Sequence, residues 1–388
     1  MLSPPTEAAR EATVLHVVNG EHIGGIERVV TTLCRLHRRV RPRLVCLLHG
    51  AMQRAGGVAP DTVRMSGRLD ATAGVRVARY VRIYGVDLVV AHTLRANLVG
   101  AVAARVARVP LVVTIHSPIA RDTERRARNA RNAWLQRLLT RWTDAYVTVS
   151  EGLKGEIVAR GVPASRVTVV RNGVEADRFL AGDGAGFRRS LPGVDDTCPL
   201  VGTVALLRPR KGIEDLLRAA PLVLRKVPSC RFIVAGPAER ASYGVRLREL
   251  CSELGIADRV VFAEHRDDVA DLLAALDVFV LPSLFGEGLP LALLEAMAAA
   301  RAVVATETEG NREVIEPGVT GRLVPPRDPA TLAQEVVALL AEPSRGSAMG
   351  EAARNAVKQR FDAARMAAEA EAAYLRVLAA TRSRYSEA

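Results

Sequence analysis

The sequence has little of several features that mark familiar protein classes. Aromatic residues make up only 4% of its 388 residues and are not interleaved with basic ones, which argues against a nucleic-acid-binding surface. Its five cysteines form no C-x-x-C pair, so a reducing compartment is favoured and neither a zinc site nor a disulfide framework is predicted. It shows no signal-peptide pattern, and its apolar runs fall short of the roughly 20 residues that cross a bilayer. We expect a cytoplasmic protein that meets a membrane, if at all, peripherally on its inner face.

Lysine is also scarce, and the basic charge is unevenly distributed. The chain carries 54 Lys and Arg, of which only four are Lys, against 42 Asp and Glu, for a net charge of +12. Residues 1–190 hold 30 basic against 15 acidic residues, and residues 191–388 hold the remaining 24 against 27. The two halves are expected to meet different partners. A GC-rich genome, which favours arginine, would however produce the same excess without a functional reason.

Ten short apolar runs alternate with helical stretches. Runs that are apolar on both faces are typical of parallel strands covered by helices on each side. Their alternation predicts an α/β protein with two Rossmann-like, doubly wound parallel sheets. The predicted strands cover residues 13–18, 43–49, 86–92, 110–116, 145–150, 199–207, 231–236, 259–263, 277–282 and 302–306.

A segment rich in Gly, Pro and Asp separates the fifth predicted strand from the sixth, where the charge also changes. Such composition marks a linker. The predicted organisation is therefore a first domain over residues 1–182, a linker over 183–198, a second domain over 199–361 and a C-terminal helix over 362–388. Because open parallel sheets bind ligands at the carboxyl ends of their strands, we expect the active site in a cleft between the two domains.

The most informative motif follows the ninth predicted strand, over residues 285–297. Pro290 suits the first turn of a helix, where its missing N–H costs nothing. Free N–H groups at such a helix start make an anion site. The residues that would form it are Gly288, Leu289, Pro290 and Leu291.

Two acidic residues flank this helix start. Glu287 lies at its mouth, and Glu295 lies about two turns further along, where a carboxylate can accept hydrogen bonds from two adjacent hydroxyls. Acids on both sides of a phosphate-binding helix start are the arrangement expected for a nucleotide sugar.

Weaker signals follow three other predicted strands. Gly24 and Gly25 open a helical stretch and would let backbone N–H groups approach an anion, although a plain turn fits equally well. His116 ends a strand, where imidazole can donate to a sugar hydroxyl or a phosphate, although a lone His there is more often structural. Arg208, Arg210 and Lys211 can meet a diphosphate, unless they form a solvated basic turn.

Two phosphate-related motifs are missing from the sequence. No D-x-D occurs, so no pair of acids is evident that would hold a cation against a diphosphate, and metal independence is predicted. No G-x-x-x-x-G-K-[ST] loop occurs either, which argues against an ATPase. No cofactor is expected.

The sequence resembles the retaining glycosyltransferases of family 4, which have the GT-B fold. The pair Glu287 and Glu295 matches that family's E-x7-E motif. The supporting segments, in the family's order, are residues 24–30, 149–175, 208–217, 260–283, 288–306 and 313–328. The resemblance implies two Rossmann-like domains facing across a cleft, with the C-terminal helix crossing back to the first.

The resemblance also implies a role for each candidate residue. Glu287 and His116 would be catalytic, through contacts with the donor sugar or its phosphate, and Glu295 would hold the ribose hydroxyls. Asn172 would line the cleft, and the loop at His265 and Arg266 would meet the base. The other donor-binding residues would be Gly24, Gly25, Arg208, Lys211, Gly288, Leu289, Pro290 and Leu291.

Two positions depart from the family's pattern. The family usually has an Arg five residues before the Lys of its K-G pair, and this chain has Leu206 there. The diphosphate would therefore lack one cation, which Arg208 is expected to supply. Glu264 stands where a small residue is common and is expected to narrow the base pocket.

The implied reaction moves a sugar, with retention of configuration, from a nucleoside diphosphate to an acceptor hydroxyl. A UDP-sugar is favoured as donor and GDP-mannose is the alternative, whereas the acceptor is open: a glycan, a lipid-linked glycan or a small molecule. Two other functions stay open on the sequence alone. A non-hydrolysing nucleotide-sugar epimerase shares the fold, and a non-catalytic nucleotide-sugar-binding protein would explain Leu206.

The basic excess is densest over residues 121–142, which hold seven Arg against two acids. A stripe at helical spacing runs through this segment and consists of Ala127, Ala130, Trp134, Leu138 and Trp142. We expect a helix that packs this stripe inward and solvates its Arg face. The alternative is contact with an anionic membrane or a phosphate-bearing acceptor.

Overall fold

The computed structural model describes residues 10–21, 24–50, 52, 59–67, 70–118, 126–195 and 197–386. These residues fall into two compact units. The first is drawn from residues 1–116, 130–170 and 364–388, and the second from residues 117–129 and 171–363.

In the first unit, the described residues form a seven-stranded parallel sheet with the strand order β3-β2-β1-β4-β5-β6-β7. The interior strand β1 is buried along its whole length. The strands are β1 (Ala12–Val18), β2 (Val40–Cys46), β3 (Asp61–Thr62), β4 (Leu88–Ala91), β5 (Leu111–Ile115), β6 (Ala145–Thr148) and β7 (Val167–Val169). The helices are α1 (Gly25–Leu36), α2 (Ala71–Ile83), α3 (Leu94–Ala107), α4 (Arg126–Leu139) and α5 (Glu151–Ala159), and at the end of the chain α15 (Ala363–Ser386).

In the second unit, the described residues form a six-stranded parallel sheet with the order β10-β9-β8-β11-β12-β13. The strands are β8 (Leu200–Val204), β9 (Arg231–Ala235), β10 (Val260–Ala263), β11 (Val278–Leu281), β12 (Ala302–Thr306) and β13 (Arg322–Val324). The helices are α6 (Ala176–Leu180), α7 (Gly184–Ser190), α8 (Ile213–Leu224), α9 (Ala241–Glu253), α10 (Val269–Ala275), α11 (Leu291–Ala298), α12 (Glu309–Val314), α13 (Pro329–Ala341) and α14 (Pro343–Arg360).

Each of the ten predicted strands is present, and the prediction of two doubly wound parallel sheets is confirmed. The chain order reverses next to β1 in one sheet and next to β8 in the other, which creates the crevice where such sheets bind ligands. The sequence did not predict β3, β7 and β13. These strands are two or three residues long and lie at or beside a sheet edge, where no continuous apolar run is required.

The segment expected to link the domains, residues 183–198, differs from that expectation. It contains α7 and lies inside the second unit, which begins its main stretch at residue 171. A Cβ on Gly182 or Gly184 would lie 2.3–2.5 Å from backbone atoms of α10. The glycines here therefore serve close packing of the chain against α10 rather than free rotation.

The C-terminal helix α15 belongs to the first unit, as the predicted crossing back requires. Its buried Glu371 accepts hydrogen bonds from the backbone N–H groups of Arg38, Arg39 and Val40, at 2.6, 2.7 and 3.3 Å. Tyr374, one turn further along, is also buried. The turn between α1 and β2 is thus tied to a residue more than 300 positions away in sequence.

Candidate active site

Glu287 lies in the loop between β11 and α11, in the second unit. Its Oε1 is 2.5 Å from Nζ of Lys211 and accepts a hydrogen bond of 2.6 Å from Oγ of Ser283. The guanidinium of Arg210 lies 4.0 Å from the same oxygen. The side chain of Glu287 is almost fully buried, so the carboxylate is removed from water and faces two cations.

The charges around Glu287 decide its protonation state. Burial by itself would raise its pKa, but the cations Lys211 and Arg210 and the hydrogen bonds from Lys211 and Ser283 outweigh burial. The pKa of Glu287 falls from 4.5 to about 2, so the group is a carboxylate at neutral pH. The pKa of Lys211 is lowered by its own burial, against the opposing effect of the Glu287 charge.

Two glycines bring the loops around this carboxylate into contact. Gly212 follows Lys211 with φ +63°, and a Cβ there would lie 2.0 Å from the carbonyl oxygen of Pro282. Gly310 donates its N–H to the carbonyl of Glu287 at 3.1 Å, and a Cβ on it would lie 2.5 Å from the carbonyl oxygen of Gly288. A side chain at either position would push the cation loop or the Glu287 loop out of place.

The start of α11 lies directly after Glu287. Pro290 is the cap residue, one position before the helix begins at Leu291. Asn172, which is buried, donates from its side-chain amide to the carbonyl of Leu289 at 2.8 Å and holds this turn in place. Glu295 is buried one turn into the helix. The structure therefore brings Asn172, Gly288, Leu289, Pro290, Leu291, Lys211 and Glu287 together in one unit.

The two arginines before Lys211 point to different partners. Arg208 pairs with Glu239 at 3.5 Å, whereas Arg210 donates to the carbonyl of Gly286 at 3.0 Å and stands beside Glu287. The sequence analysis favoured Arg208 as the added cation, and the structure places Arg210 directly beside Glu287. Ser283 was also not selected, although it stands in the same strand-end position as other candidates.

The loop after β10 carries His265 and Arg266. Nε2 of His265 lies 3.2 Å from Oδ1 of Asp267. Arg266 pairs with Asp268, and its guanidinium lies 5.1 Å from the ring centroid of Phe187 on α7. In this form the Arg266 side chain is engaged within its own loop and with α7.

In the first unit, the candidate residues lie at the carboxyl edge of the sheet. Gly24 caps α1 and Gly25 begins it, and the N–H of Gly24 donates to the side chain of Glu27 at 3.1 Å. His116 directly follows β5. Asn19, which follows β1, accepts a hydrogen bond of 2.9 Å from the hydroxyl of Thr93, the cap of α3.

His116 is not a lone histidine. Its Nε2 lies 3.0 Å from Nδ1 of His92, and Nε2 of His92 lies 2.9 Å from Nδ1 of His16. The ring of His16 stacks on that of His37 at 5.6 Å. Burial lowers the pKa of His116 and of His37 from 6.5 to about 4, and it also lowers the pKa of His16 and His92. The four rings are neutral at pH 7. His92 ends a strand just as His116 does, and this shared position was the signal that sequence reasoning missed.

Neither unit shows a metal centre among the residues that the structure describes. Among the described residues, no group of three or more His, Cys, Asp or Glu side chains is arranged to hold a metal ion. The positive charge that could meet a diphosphate comes from Lys211, Arg210 and the start of α11.

Helix α4 and the 3₁₀ turn that follows it (Thr140–Trp142) contradict the expected inward packing of the apolar stripe. Trp134, Leu138 and Trp142 are 63%, 45% and 50% exposed, while residues 121–125 and the side chains of Ala127 and Ala130 lie outside the described part of the chain. The inward face carries Gln136, which accepts a hydrogen bond of 3.2 Å from Asn97. The described part of the stripe, Trp134, Leu138 and Trp142, is therefore an outward face. No helix within the described ranges is long and apolar enough to cross a membrane.

Comparison with known proteins gives the family. Residues 23–178 match the model described as Glycosyltransferase Family 4, and residues 198–342 match the model of glycosyl transferases group 1. The alpha-maltose-1-phosphate synthase of Mycolicibacterium smegmatis is 30% identical over 310 residues, which are 74% of this chain and 78% of that protein. The chain belongs to glycosyltransferase family 4.

The chain is also similar to a second relative and to a solved structure. The D-inositol 3-phosphate glycosyltransferase of Acidothermus cellulolyticus is 32% identical over 315 residues, covering 75% of this chain and 68% of that protein. The crystal structure of Anabaena Alr3699/HepE in complex with UDP and glucose has a TM-score of 0.81 at 23% identity, over 97% of this family 4 chain and 100% of that one. This likeness confirms the GT-B fold.

Proposed function

We propose that this family 4 protein transfers a sugar from a nucleoside diphosphate sugar, with a UDP-sugar favoured and GDP-mannose the alternative, to a hydroxyl of a glycan, lipid-linked or small-molecule acceptor. The observation that carries the proposal is the buried group of Glu287, Lys211, Arg210 and Ser283 beside the start of α11. It combines a carboxylate for sugar hydroxyls with cations for a diphosphate.

The contacts of Glu287 suggest how a donor would be held. Lys211, Ser283 and Arg210 all approach Oε1, so Oε2 is the oxygen that we assign to a sugar hydroxyl. A diphosphate at the start of α11 would share Lys211 and Arg210 with that carboxylate. Charge that develops on the leaving group would be stabilised by both cations and by the helix N-terminus.

The proposed chemistry retains the configuration at the sugar carbon, as the family resemblance implies. The bond between that carbon and the diphosphate oxygen breaks, and a bond to the acceptor oxygen forms on the same face. The acceptor proton passes to the departing phosphate, so no enzyme nucleophile is needed. Because protein cations stabilise the leaving group, we propose that no metal ion is required.

A panel of nucleotide sugars tests this proposal. We expect one UDP- or GDP-sugar to raise the melting temperature, by the same amount with and without EDTA. We also expect transfer to an acceptor hydroxyl, detected by mass spectrometry of the products. Conversion of the donor without an acceptor would instead identify an epimerase, and binding without any turnover would identify a sensor. Loss of stabilisation in EDTA would contradict metal independence.

The outward face of α4 supports an anionic membrane as the surface on which this enzyme meets its acceptor. Besides Trp134, Leu138 and Trp142, the segment exposes Arg131, Arg137 and Arg141. Tryptophan and leucine insert into the interface of a bilayer, and arginine binds anionic headgroups. We propose that this face docks on an anionic bilayer, which brings the first unit to a lipid-linked acceptor.

Tryptophan emission reports this docking directly, because the chain has only two Trp and both are exposed. We expect a blue shift on adding phosphatidylglycerol vesicles, none with phosphatidylcholine vesicles, and reversal by about 1 M salt, at which the Debye length is ~3 Å. The double variant Trp134→Ala with Leu138→Ala should abolish co-sedimentation. The matched control Ile83→Ser removes another exposed apolar side chain of the first unit and should leave binding intact. The same emission spectrum with both kinds of vesicle would contradict the proposed docking.

A further inference from the structure

His16, His92 and His116 form a histidine chain, in which each ring is hydrogen-bonded to the next. The hydrogen bonds of this histidine chain run in one direction. Neutral imidazole carries one N–H, so each of the contacts His16–His92 and His92–His116 is a hydrogen bond only if one ring donates and the other accepts. His92 uses both of its nitrogens. If it accepts a hydrogen bond from one neighbouring ring, it must therefore donate to the other. Only two arrangements of the protons satisfy both bonds.

The far end of the chain distinguishes the two arrangements. Nε2 of His16 is buried and has no hydrogen-bond partner within the described part of the protein. If the chain ran from His116 to His16, this atom would carry an unpaired buried N–H. If it runs from His16 to His116, the atom is an unpaired acceptor. Orphaned buried N–H groups of the backbone are rarer in folded proteins than under-satisfied carbonyls, and the same preference applied to the ring nitrogen of His16 favours the second direction.

This direction fixes the state of His116. Nδ1 of His16 donates to Nε2 of His92, Nδ1 of His92 donates to Nε2 of His116, and the remaining proton of His116 resides on Nδ1. We infer that His16 and His92 are positioning residues that hold His116 in its Nδ1–H tautomer, so that it acts on the substrate as a hydrogen-bond donor and not as a base. This rests on the proposed function, in which His116 contacts the donor sugar or its phosphate.

The surroundings of the histidine chain keep its three rings neutral. His16 packs between the rings of His92 and His37, with the edge of Tyr374 at 5.9 Å. The carboxylate of Glu371 lies 3.6 Å from His37 and already accepts hydrogen bonds from three backbone N–H groups. A proton added to any ring would be buried next to other rings and without a free counter-charge.

The tautomer can be measured in the full-length protein. The chain has seven histidines, few enough to resolve by long-range ¹H–¹⁵N correlation spectra of ¹⁵N-histidine-labelled protein, with a His116→Asn spectrum for assignment. We expect His116 to carry its proton on Nδ1 and to show no titration between pH 8 and 5. A His116 protonated on Nε2, or titrating near pH 6.5, would overturn the inference. This measurement requires no turnover. The tautomer can therefore prove wrong while the proposed transferase activity holds, and the tautomer can prove right while that activity fails.

Variants of His92 separate positioning from packing. His92→Asn keeps an N–H donor near the position of Nδ1, whereas His92→Leu removes it. For loss of a residue that orients a functional group, a fall of about 10–100-fold is expected. We expect His92→Leu to lower kcat by this factor with little change in the donor KM and to mix the tautomers of His116, while His92→Asn restores most of both.

His37→Phe is the matched control, because it keeps the stacking on His16 and removes no described ring hydrogen bond. It should leave the tautomer and kcat unchanged. Equal losses in His92→Asn and His92→Leu would show that His92 only fills space.

Discussion

We expect Glu287→Gln to lower kcat by about 10²–10³-fold, the cost of removing one preorganised electrostatic group from a catalytic site. The amide has the shape of the carboxylate but cannot place a negative charge beside the reacting sugar. Donor affinity should change by less than tenfold, because Lys211 and Arg210 would no longer be neutralised by Glu287 and would remain available to the diphosphate. Steady-state kinetics and calorimetric titration of the donor measure the two effects separately.

The pH profile provides a second test of this role. Since the pKa of Glu287 is about 2, its ionisation should cause no inflection in kcat between pH 5 and 9. The control Glu249→Gln changes an exposed acid on α9 and should behave as wild type. Losses of similar size in kcat and donor affinity would refute a catalytic role for Glu287.

The second large effect is expected for Lys211→Met. A charge-assisted hydrogen bond contributes about 1.5–3 kcal/mol, so donor affinity should fall by about 10–100-fold. The variant also leaves the buried Glu287 with the hydroxyl of Ser283 and, as a described cation, Arg210 at 4.0 Å. Breaking a buried ion pair costs about 3–5 kcal/mol, so the melting temperature should fall as well. Lys226→Met, at an exposed lysine, is the control and should change neither quantity.

The neighbouring arginines sharpen this result. Arg210→Met should weaken donor binding, since its guanidinium stands at the site, whereas Arg208→Met should not, since Arg208 pairs with Glu239. If Arg208→Met weakened donor binding and Arg210→Met did not, Arg208 would be the residue that supplies the cation lacking at Leu206. If Leu206→Arg strengthens donor binding several-fold, the site is short of a cation; no gain would show that the existing cations suffice.

The fold could be predicted from the sequence because buried parallel strands are continuous apolar runs. Each of the ten runs became a strand, whereas Asp61–Thr62 is short and exposed at the sheet edge and gave no such signal. The linker prediction relied on composition alone, and the same glycines that signal a linker also allow Gly184 to pack on α10.

The candidate site was less accessible to sequence reasoning, because side-chain direction decides it. Arg208 has extended backbone, and a 3₁₀ turn at Pro209–Lys211 follows it, so Arg208 and Arg210 point to different partners. The contact between His92 and His116 depends on the pairing of β4 with β5. On α4, helical spacing identified a stripe but not which face of the helix is inward, and Gln136 occupies the inward face.

The hydrogen bonds of Glu371 set an order in which the protein can fold during its synthesis. The first unit is drawn from residues 1–116 and 130–170, and it needs α15 to supply the carboxylate that accepts hydrogen bonds from the N–H groups of Arg38, Arg39 and Val40. About 200 further residues must be translated first, which takes roughly 10–40 s at the usual rates of synthesis. The second unit, whose main stretch ends at residue 363, can therefore be complete before the first. The half that begins the chain is therefore completed last, and a chain cut short before residue 371 would lack the carboxylate that satisfies these three N–H groups.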